Sequence, residues 1–173
     1  MNGRIMLALA LSCCAGAGLS FAESEFIARV GESGEFLELE HRVEGRTVKN
    51  YLPLHRAGSV RYFSAGVGME ERAALYPPFS LKLVMTAGGK PFLAGVEVVI
   101  QRAKGGAAIR IPREQVEGPW LFVDLPPGLY DIRGTHADRE QTLKGVKVER
   151  GRQQVLYLRW PDDRPVAARP PME

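Results

Sequence analysis

Apolar and polar residues alternate along most of the chain between residues 79 and 160. Because successive side chains of a β-strand point to opposite faces, this alternation predicts strands with one buried face. Turn residues separate the stretches about every ten residues, a spacing typical of an all-β sandwich. The stretches begin at Leu81, Val96, Ala108, Trp120, Tyr130, Leu143 and Val155. The pattern therefore predicts an all-β fold, with a seven-stranded β-sandwich over residues 79–160.

The sharpest break in this pattern is formed by Pro126, Pro127 and Gly128. Proline cannot donate to a strand ladder, and glycine tolerates the backbone angles of a tight corner. One strand therefore ends at the prolines, and the next contains Tyr130. We expect the Tyr130 hydroxyl to bond the backbone of the corner, as tyrosines do at the corners of sandwich domains.

Two aromatic residues beside this corner have two interpretations. Trp120, Phe122 and Leu125 recur at near-alternate positions, which predicts that they line the interior between two sheets. Core packing is therefore the first interpretation of Trp120 and Tyr130. The second is an aromatic contact surface for a ligand.

Residues 23–78 are predicted to form an N-terminal extension to the sandwich. Alternation over residues 26–30 and 35–43 predicts a strand pair. Residues 47–52 and 60–63 are expected to be extended as well.

A short helix is predicted over residues 69–75. Glu70 and Glu71 fall in its first turn, where acidic side chains interact favourably with the helix dipole. Alanine and leucine are strong helix formers, and Pro77 and Pro78 end the stretch.

Gly66, Gly68, Glu71 and Arg72 surround the start of this helix. A glycine-rich stretch before a helix can bind an anion, but the acidic first turn would repel a phosphate. Adjacent carboxylates also face apart on a helix, which disfavours a general acid/base pair. We therefore predict that these four residues fix the segment against the sandwich, with recognition of a partner as the alternative.

The N-terminus has the pattern of an export signal. Arg4 precedes an apolar run over residues 5–19, and a small-x-small site ends at Ala22. We expect cleavage after Ala22 and a periplasmic or secreted protein without a transmembrane segment, since a span needs about 20 apolar residues. A lipoprotein acylated at Cys13 is the alternative.

Little cysteine, metal or nucleic-acid chemistry is expected in the mature chain. Both cysteines lie in the signal, so cleavage would leave no thiol or disulfide. His41, His55 and His136 are scattered without metal-ligand spacing. The formal net charge is only +3, and the basic residues alternate with apolar ones rather than forming a nucleic-acid-binding stripe. Residues 161–173 contain four prolines and are predicted to be a disordered tail.

Two motifs resemble those of the carboxypeptidase regulatory-like domain, a transthyretin-like (prealbumin-like) β-sandwich. Gly89-Lys-Pro-Phe-Leu-Ala-Gly-Val-Glu-Val98 is similar to the family's Gly-x-Pro-Leu-x-Gly-x-x-Val loop, with one extra residue between the proline and the second glycine. Leu125-Pro-Pro-Gly-Leu-Tyr130 is similar to its Leu-Pro-x-Gly-x-Tyr corner. The resemblance covers residues 79–160 and implies a fold without catalysis of its own.

Residues 60–160 also look like a group of small exported bacterial proteins of unknown function. These carry a Gly-x-Gly-x-x-Glu-Arg segment before the sandwich, which is Gly66-Val-Gly-Met-Glu-Glu-Arg72 in this chain. This resemblance supports a fold and does not by itself assign a function.

The functional expectation is a non-enzymatic binding or scaffold protein of the cell envelope that needs no metal and no cofactor. No Gly-x-Ser-x-Gly elbow or cysteine nucleophile is present in the mature chain. The expected partner is an envelope protein or glycan. One alternative is a carbohydrate- or small-ligand-binding module, and another is an envelope hydrolase that uses the carboxylates of residues 66–72.

Overall fold

The computed structural model describes residues 26–88 and 93–161. The predicted export signal with Cys13 and Ala22, residues 89–92 of the first resembling motif, and residues 162–173 lie outside the described residues. The described parts contain strands and one short helix, α1 (Met69–Ala73), beside a single turn of 3₁₀ helix at Arg113–Gln115. The prediction of an all-β fold is confirmed.

The strands of the described residues are numbered in chain order. They are β1 (Ile27–Val30), β2 (Phe36–Val43), β3 (Arg46–Pro53), β4 (His55–Ala57), β5 (Val60–Ala65), β6 (Leu81–Ala87), β7 (Glu97–Arg102), β8 (Ile109–Ile111), β9 (Trp120–Val123), β10 (Gly128–His136), β11 (Arg139–Val148) and β12 (Gln154–Trp160).

These strands form three sheets. A three-stranded sheet has the order β1-β2-β3, a four-stranded sheet the order β11-β10-β7-β8, and a five-stranded sheet the order β12-β6-β9-β5-β4. All strand pairs are antiparallel except β12 and β6, which run parallel. Two strands before residue 79, β4 and β5, thus belong to the same sheet as β6, β9 and β12.

The largest hydrophobic cluster, the inner core, lies between the four-stranded and five-stranded sheets. Alternate residues of the facing strands supply it, as expected for half-buried strands. Its members from the four-stranded sheet include Val98, Ile100 and Ile132, and all three are fully buried. Leu81, Leu83 and Met85 of β6 face them from the five-stranded sheet.

A second hydrophobic cluster, the outer core, covers the opposite face of the five-stranded sheet. Its buried members are Leu37, Leu54, Phe63, Ala65, Phe79 and Phe122. Leu37 comes from β2, so the three-stranded sheet packs on the five-stranded sheet through this cluster.

Strand β9 is therefore buried on both faces. Leu121 and Val123 lie in the inner core, whereas Phe122 lies in the outer core and Trp120 packs against it. The prediction that Trp120 and Phe122 line the interior between the two larger sheets is wrong. An uninterrupted apolar run such as Trp-Leu-Phe-Val is typical of a strand with two covered faces.

The N-terminal strand pair is in fact a three-stranded sheet. β1 and β3 both pair with β2, and the tight turn between β2 and β3 uses positive φ angles at Glu44 (51°) and Gly45 (78°). The alternation on β2 fits this arrangement, because Leu37 and Leu39 are fully buried on one face.

The proline–glycine corner has the hydrogen bond expected from the sequence. The Tyr130 hydroxyl donates to the carbonyl of Pro126 at 2.7 Å, and the Tyr130 ring lies in the inner core. Ser80 fixes the other side of the corner, where its hydroxyl accepts from the Leu125 N–H at 2.7 Å and lies 3.0 Å from the Leu125 carbonyl.

A β-bulge lies at Gly145 of β11, as the isolated glycine indicates. The register between β10 and β11 shifts between Tyr130 and Ile132, and Gly145 has φ of 65°. The Asp131 carboxylate accepts the Gly145 N–H at 2.8 Å, so the amide freed by the bulge has a partner.

We expect Tyr130→Phe to lower the free energy of unfolding by about 1 kcal/mol, because it removes one hydrogen bond and leaves the buried ring in place. Urea denaturation measures this. Tyr157→Phe is the control: its ring is 49% exposed on β12, and its stability should match the wild type. An equal loss in both variants would contradict a role for the corner bond.

Candidate functional site

The Gly66–Arg72 segment lies directly after β5 and contains most of α1. The helix ends at Ala73, two residues before the predicted end at Leu75. Leu75 instead pairs with the start of the N-terminal sheet: its N–H donates to the Phe26 carbonyl, and its own carbonyl accepts the Ala28 N–H, both at 2.9 Å. These backbone bonds hold Leu75 in a bridge to β1, and Ala74 before it is extended.

Polar side chains of the helix bind the backbone that precedes it. The Glu71 carboxylate accepts the N–H groups of Gly66 and Val67 at 2.7 and 3.0 Å. The Arg72 guanidinium donates to the Gly66 carbonyl at 2.7 Å. The Tyr76 hydroxyl donates to the Glu71 carbonyl at 2.8 Å, and burial together with the charges of Glu71 and Glu70 raises the pKa of Tyr76. Four hydrogen bonds thus fasten a segment of seven residues.

Glycine is required at Gly66 for two reasons. Its φ of 96° is strained for other residues. A Cβ atom there would also lie 2.9 Å from the Trp120 indole, so the backbone packs directly on that ring. Gly68 is different, because the three atoms nearest to an added Cβ would all belong to the flexible carboxylate of Glu70.

The same segment exposes apolar side chains at its tip. No residue of α1 is buried. Val67 is 61% exposed and Met69 is 84% exposed. We call Val67 and Met69 the apolar tip. A backbone fastened by hydrogen bonds therefore presents hydrophobic side chains that lie outside both cores.

The Trp120 ring lies partly buried at the base of the segment. The Lys82 ammonium group is 3.5 Å from the centre of this ring and 5.1 Å from the centre of the Phe122 ring. Burial lowers the pKa of Lys82, while the cation–π contact favours its charged form. A cation of the chain itself thus covers a face of the indole. Tyr130, the second aromatic candidate, is 2% exposed and presents no ring face to solvent.

The residues suggested for catalysis or metal binding do not converge. The Glu71 carboxylate is engaged with the backbone, as described above. His41, His55 and His136 stack on or approach three different aromatic side chains: Phe26, Tyr62 and Trp160, respectively. Within residues 26–88 and 93–161, no group of three histidine, cysteine or carboxylate side chains is placed to hold a metal ion.

The sequence identified the motif but missed its exposed part. Gly66, Gly68, Glu71 and Arg72 are joined by hydrogen bonds within the segment itself. Their predicted role in fixing the segment against the sandwich stays a prediction. The sequence pattern did not point to Val67 and Met69. Each of them is next to a glycine, which has no side chain to pack against. An apolar residue beside a glycine, at the start of a helix without an apolar stripe, is the signal that indicates the exposed tip.

Comparison with protein-family models, curated proteins and solved structures finds no match to this chain. In the described part of the chain, no helix has the length and hydrophobicity needed to cross a membrane.

Proposed function

We propose that this protein is a non-enzymatic binding or scaffold module of the cell envelope, which recognises a protein partner through the apolar tip of the Gly66–Arg72 segment. The observation that carries the proposal is the contrast within that segment. Its backbone is fastened by Glu71, Arg72 and Tyr76, while the apolar tip stays in water.

The fold that we propose for residues 79–160 is a seven-stranded sandwich of the transthyretin type, as in carboxypeptidase regulatory-like domains. β6 to β12 fall in this range, and they divide between two sheets that share the inner core. The corner motif supports the same proposal. β4 and β5 would then extend one sheet of the sandwich.

Rigidity and exposure together favour recognition. Holding a segment in one conformation costs conformational entropy, and contacts must offset that cost. In α1 the offset comes from hydrogen bonds to the segment's own backbone, because none of its side chains is buried. Exposed Met and Val side chains on a preorganised backbone are suited to the apolar centre of a protein interface.

The other two functions have weaker support. Sugar stacking would need an open indole face, and Lys82 lies 3.5 Å from the centre of the Trp120 ring. Hydrolysis by a carboxylate would need Glu71 to be free, yet its Oε2 accepts two backbone N–H groups. A scaffold function requires neither an open face of Trp120 nor a free Glu71 carboxylate.

The test is photo-crosslinking of the mature protein in the envelope fraction of its native cells, with a benzophenone amino acid in place of Met69. We expect a discrete crosslinked protein that is lost, or at least ten-fold weaker, when Val67 is also changed to Ser. Val67→Ser should unfold within about 0.5 kcal/mol of the wild type, since it is a surface substitution. A benzophenone at exposed Arg42 is the placement control.

Glu71→Ala tests whether the bonded backbone positions the apolar tip. It leaves the Gly66 and Val67 N–H groups without their carboxylate partner, and we expect a loss of about 2 kcal/mol in the free energy of unfolding. Crosslinking should fall in this variant as well, because the tip loses its fixed position. Equal crosslinking from positions 69 and 42, or an unchanged yield after Val67→Ser, would refute the proposed function.

A further inference from the structure

Four connections meet at the end of the molecule opposite the Gly66–Arg72 segment. They are the β4–β5 turn, the β7–β8 loop, the proline corner between β9 and β10, and the β11–β12 turn. The grooves between them share Pro126 or Pro127 as a wall. β5 runs from this end, at Val60, to the Gly66–Arg72 segment, so its six residues separate the two regions by about 20 Å.

This end carries a concentration of positive charge that the alternating sequence does not reveal. We call it the basic end and define it by Arg102, Lys104, Lys147, Arg150 and Arg152, which line the grooves at Pro127. The strand register explains the clustering, since Leu129 pairs with Lys147 and Tyr130 pairs with Arg102.

Few carboxylates neutralise these cations. Glu149 lies 2.6 Å from Lys147 and 3.6 Å from Arg152. The nearby Asp124 is paired with Arg61 at 2.8 Å. Lys104 and Arg150 have no carboxylate partner within the described residues, and both are exposed.

An apolar surface lies in the middle of the cations. A groove of about 750 Å³ is lined by exposed Pro127 and Leu129 together with Arg102, Lys104, Lys147, Glu149 and Arg150. Leu129, the second residue of β10, is 46% exposed. It points away from the inner core because its neighbour Tyr130 points into it.

We propose that the basic end binds the anionic surface of a lipid bilayer, with its cations at the lipid phosphates and Leu129 at the boundary of the acyl chains. Charge complementarity selects an anionic occupant. The apolar centre selects a bilayer over a soluble polyanion, since only a bilayer offers hydrocarbon directly beneath its charged groups. Bound in this way, the protein would hold the apolar tip about 20 Å from the membrane surface.

The test is co-sedimentation of the mature protein with vesicles of equal parts phosphatidylglycerol and phosphatidylcholine, compared with vesicles of phosphatidylcholine alone. We expect binding to the anionic vesicles only. Each cation near a membrane surface accounts for about a five-fold change in partitioning, so Lys104→Gln with Arg150→Gln should weaken binding about 25-fold. Raising the salt concentration should weaken binding too.

The control removes the same charge elsewhere. Arg42→Gln with Arg46→Gln changes two exposed arginines beside the β2–β3 turn, outside the basic end, and should leave partitioning within about two-fold of the wild type. A fall equal to that of the Lys104/Arg150 variant would show that net charge alone acts, and would overturn the proposal.

Leu129→Ser distinguishes a bilayer from a polyanion. For a bilayer, this variant should bind anionic vesicles several-fold more weakly at every salt concentration, because the lost contact is apolar. Heparin binding by the wild type that depends on Lys104 and Arg150, without any effect of Leu129→Ser on vesicles, would assign the basic end to a polyanion. Equal binding to both vesicle types would also overturn the proposal.

Discussion

Replacement of Phe63 by alanine is expected to lower the free energy of unfolding by about 4 kcal/mol, the typical cost of removing a fully buried phenylalanine. Phe63 is 0% exposed in the outer core. Its ring stacks on Phe122 with 4.5 Å between centroids and meets Phe79 edge-on at 5.0 Å. The cavity would open between the five-stranded and three-stranded sheets.

Urea denaturation followed by circular dichroism measures this loss. Phe36→Ala is the matched control, because Phe36 lies on the opposite face of β2 from the buried Leu37 and is only partly buried beside Tyr51. We expect the control to lose about 1 kcal/mol, the size of one exposed aromatic pair. If Phe63→Ala cost no more than Phe36→Ala, the outer core would not be a packed interface.

Gly118→Ala is expected to lower the free energy of unfolding by about 3 kcal/mol, at the upper end for overpacking. A Cβ atom at this position would lie 2.7 Å from the carbonyl carbon of Ala65 and closer still to its oxygen. Backbone atoms cannot rotate away as side chains do. The Gly118 N–H also donates to the Ser64 hydroxyl at 2.8 Å, so a shift of the backbone would break that bond.

Thermal unfolding measures this effect, and a melting temperature about 10 °C below the wild type is expected. Gly45→Ala is the matched control. Gly45 has φ of 78° but no atom within 4 Å of its added Cβ, so only backbone strain of about 1 kcal/mol should arise. A smaller loss at Gly118 than at Gly45 would contradict the close approach of β5 to residue 118.

Strand positions were predictable where one face of a strand is buried. β2 shows a clean alternation, and its predicted range of residues 35–43 nearly coincides with Phe36–Val43. β4 was missed because His-Arg-Ala is too short and too polar to show any period. β9 was recognised as a strand but assigned to one core, because alternation cannot reveal that a second sheet covers the other face.

The candidate site also has a part that the sequence predicts and a part that it does not. The glycine, glutamate and arginine of the Gly66–Arg72 segment act over at most six residues, so their spacing carries the information. The exposure of Val67 and Met69 depends on what packs nearby, and neighbouring residues do not encode that. The basic end is less predictable still, since Arg102 and Arg150 are 48 positions apart and meet only through β10.

The amino-acid sequence by itself determined the all-β class, the proline–glycine corner with its tyrosine bond, and the bulge at Gly145, because each follows from backbone geometry over a few residues. Only the tertiary structure decided which sheet covers Trp120 and Phe122, which apolar side chains remain in water, and where the cations gather. The physical reason is that burial and electrostatic potential depend on distances in space between residues far apart in the chain, whereas turn and strand preferences depend on neighbouring residues.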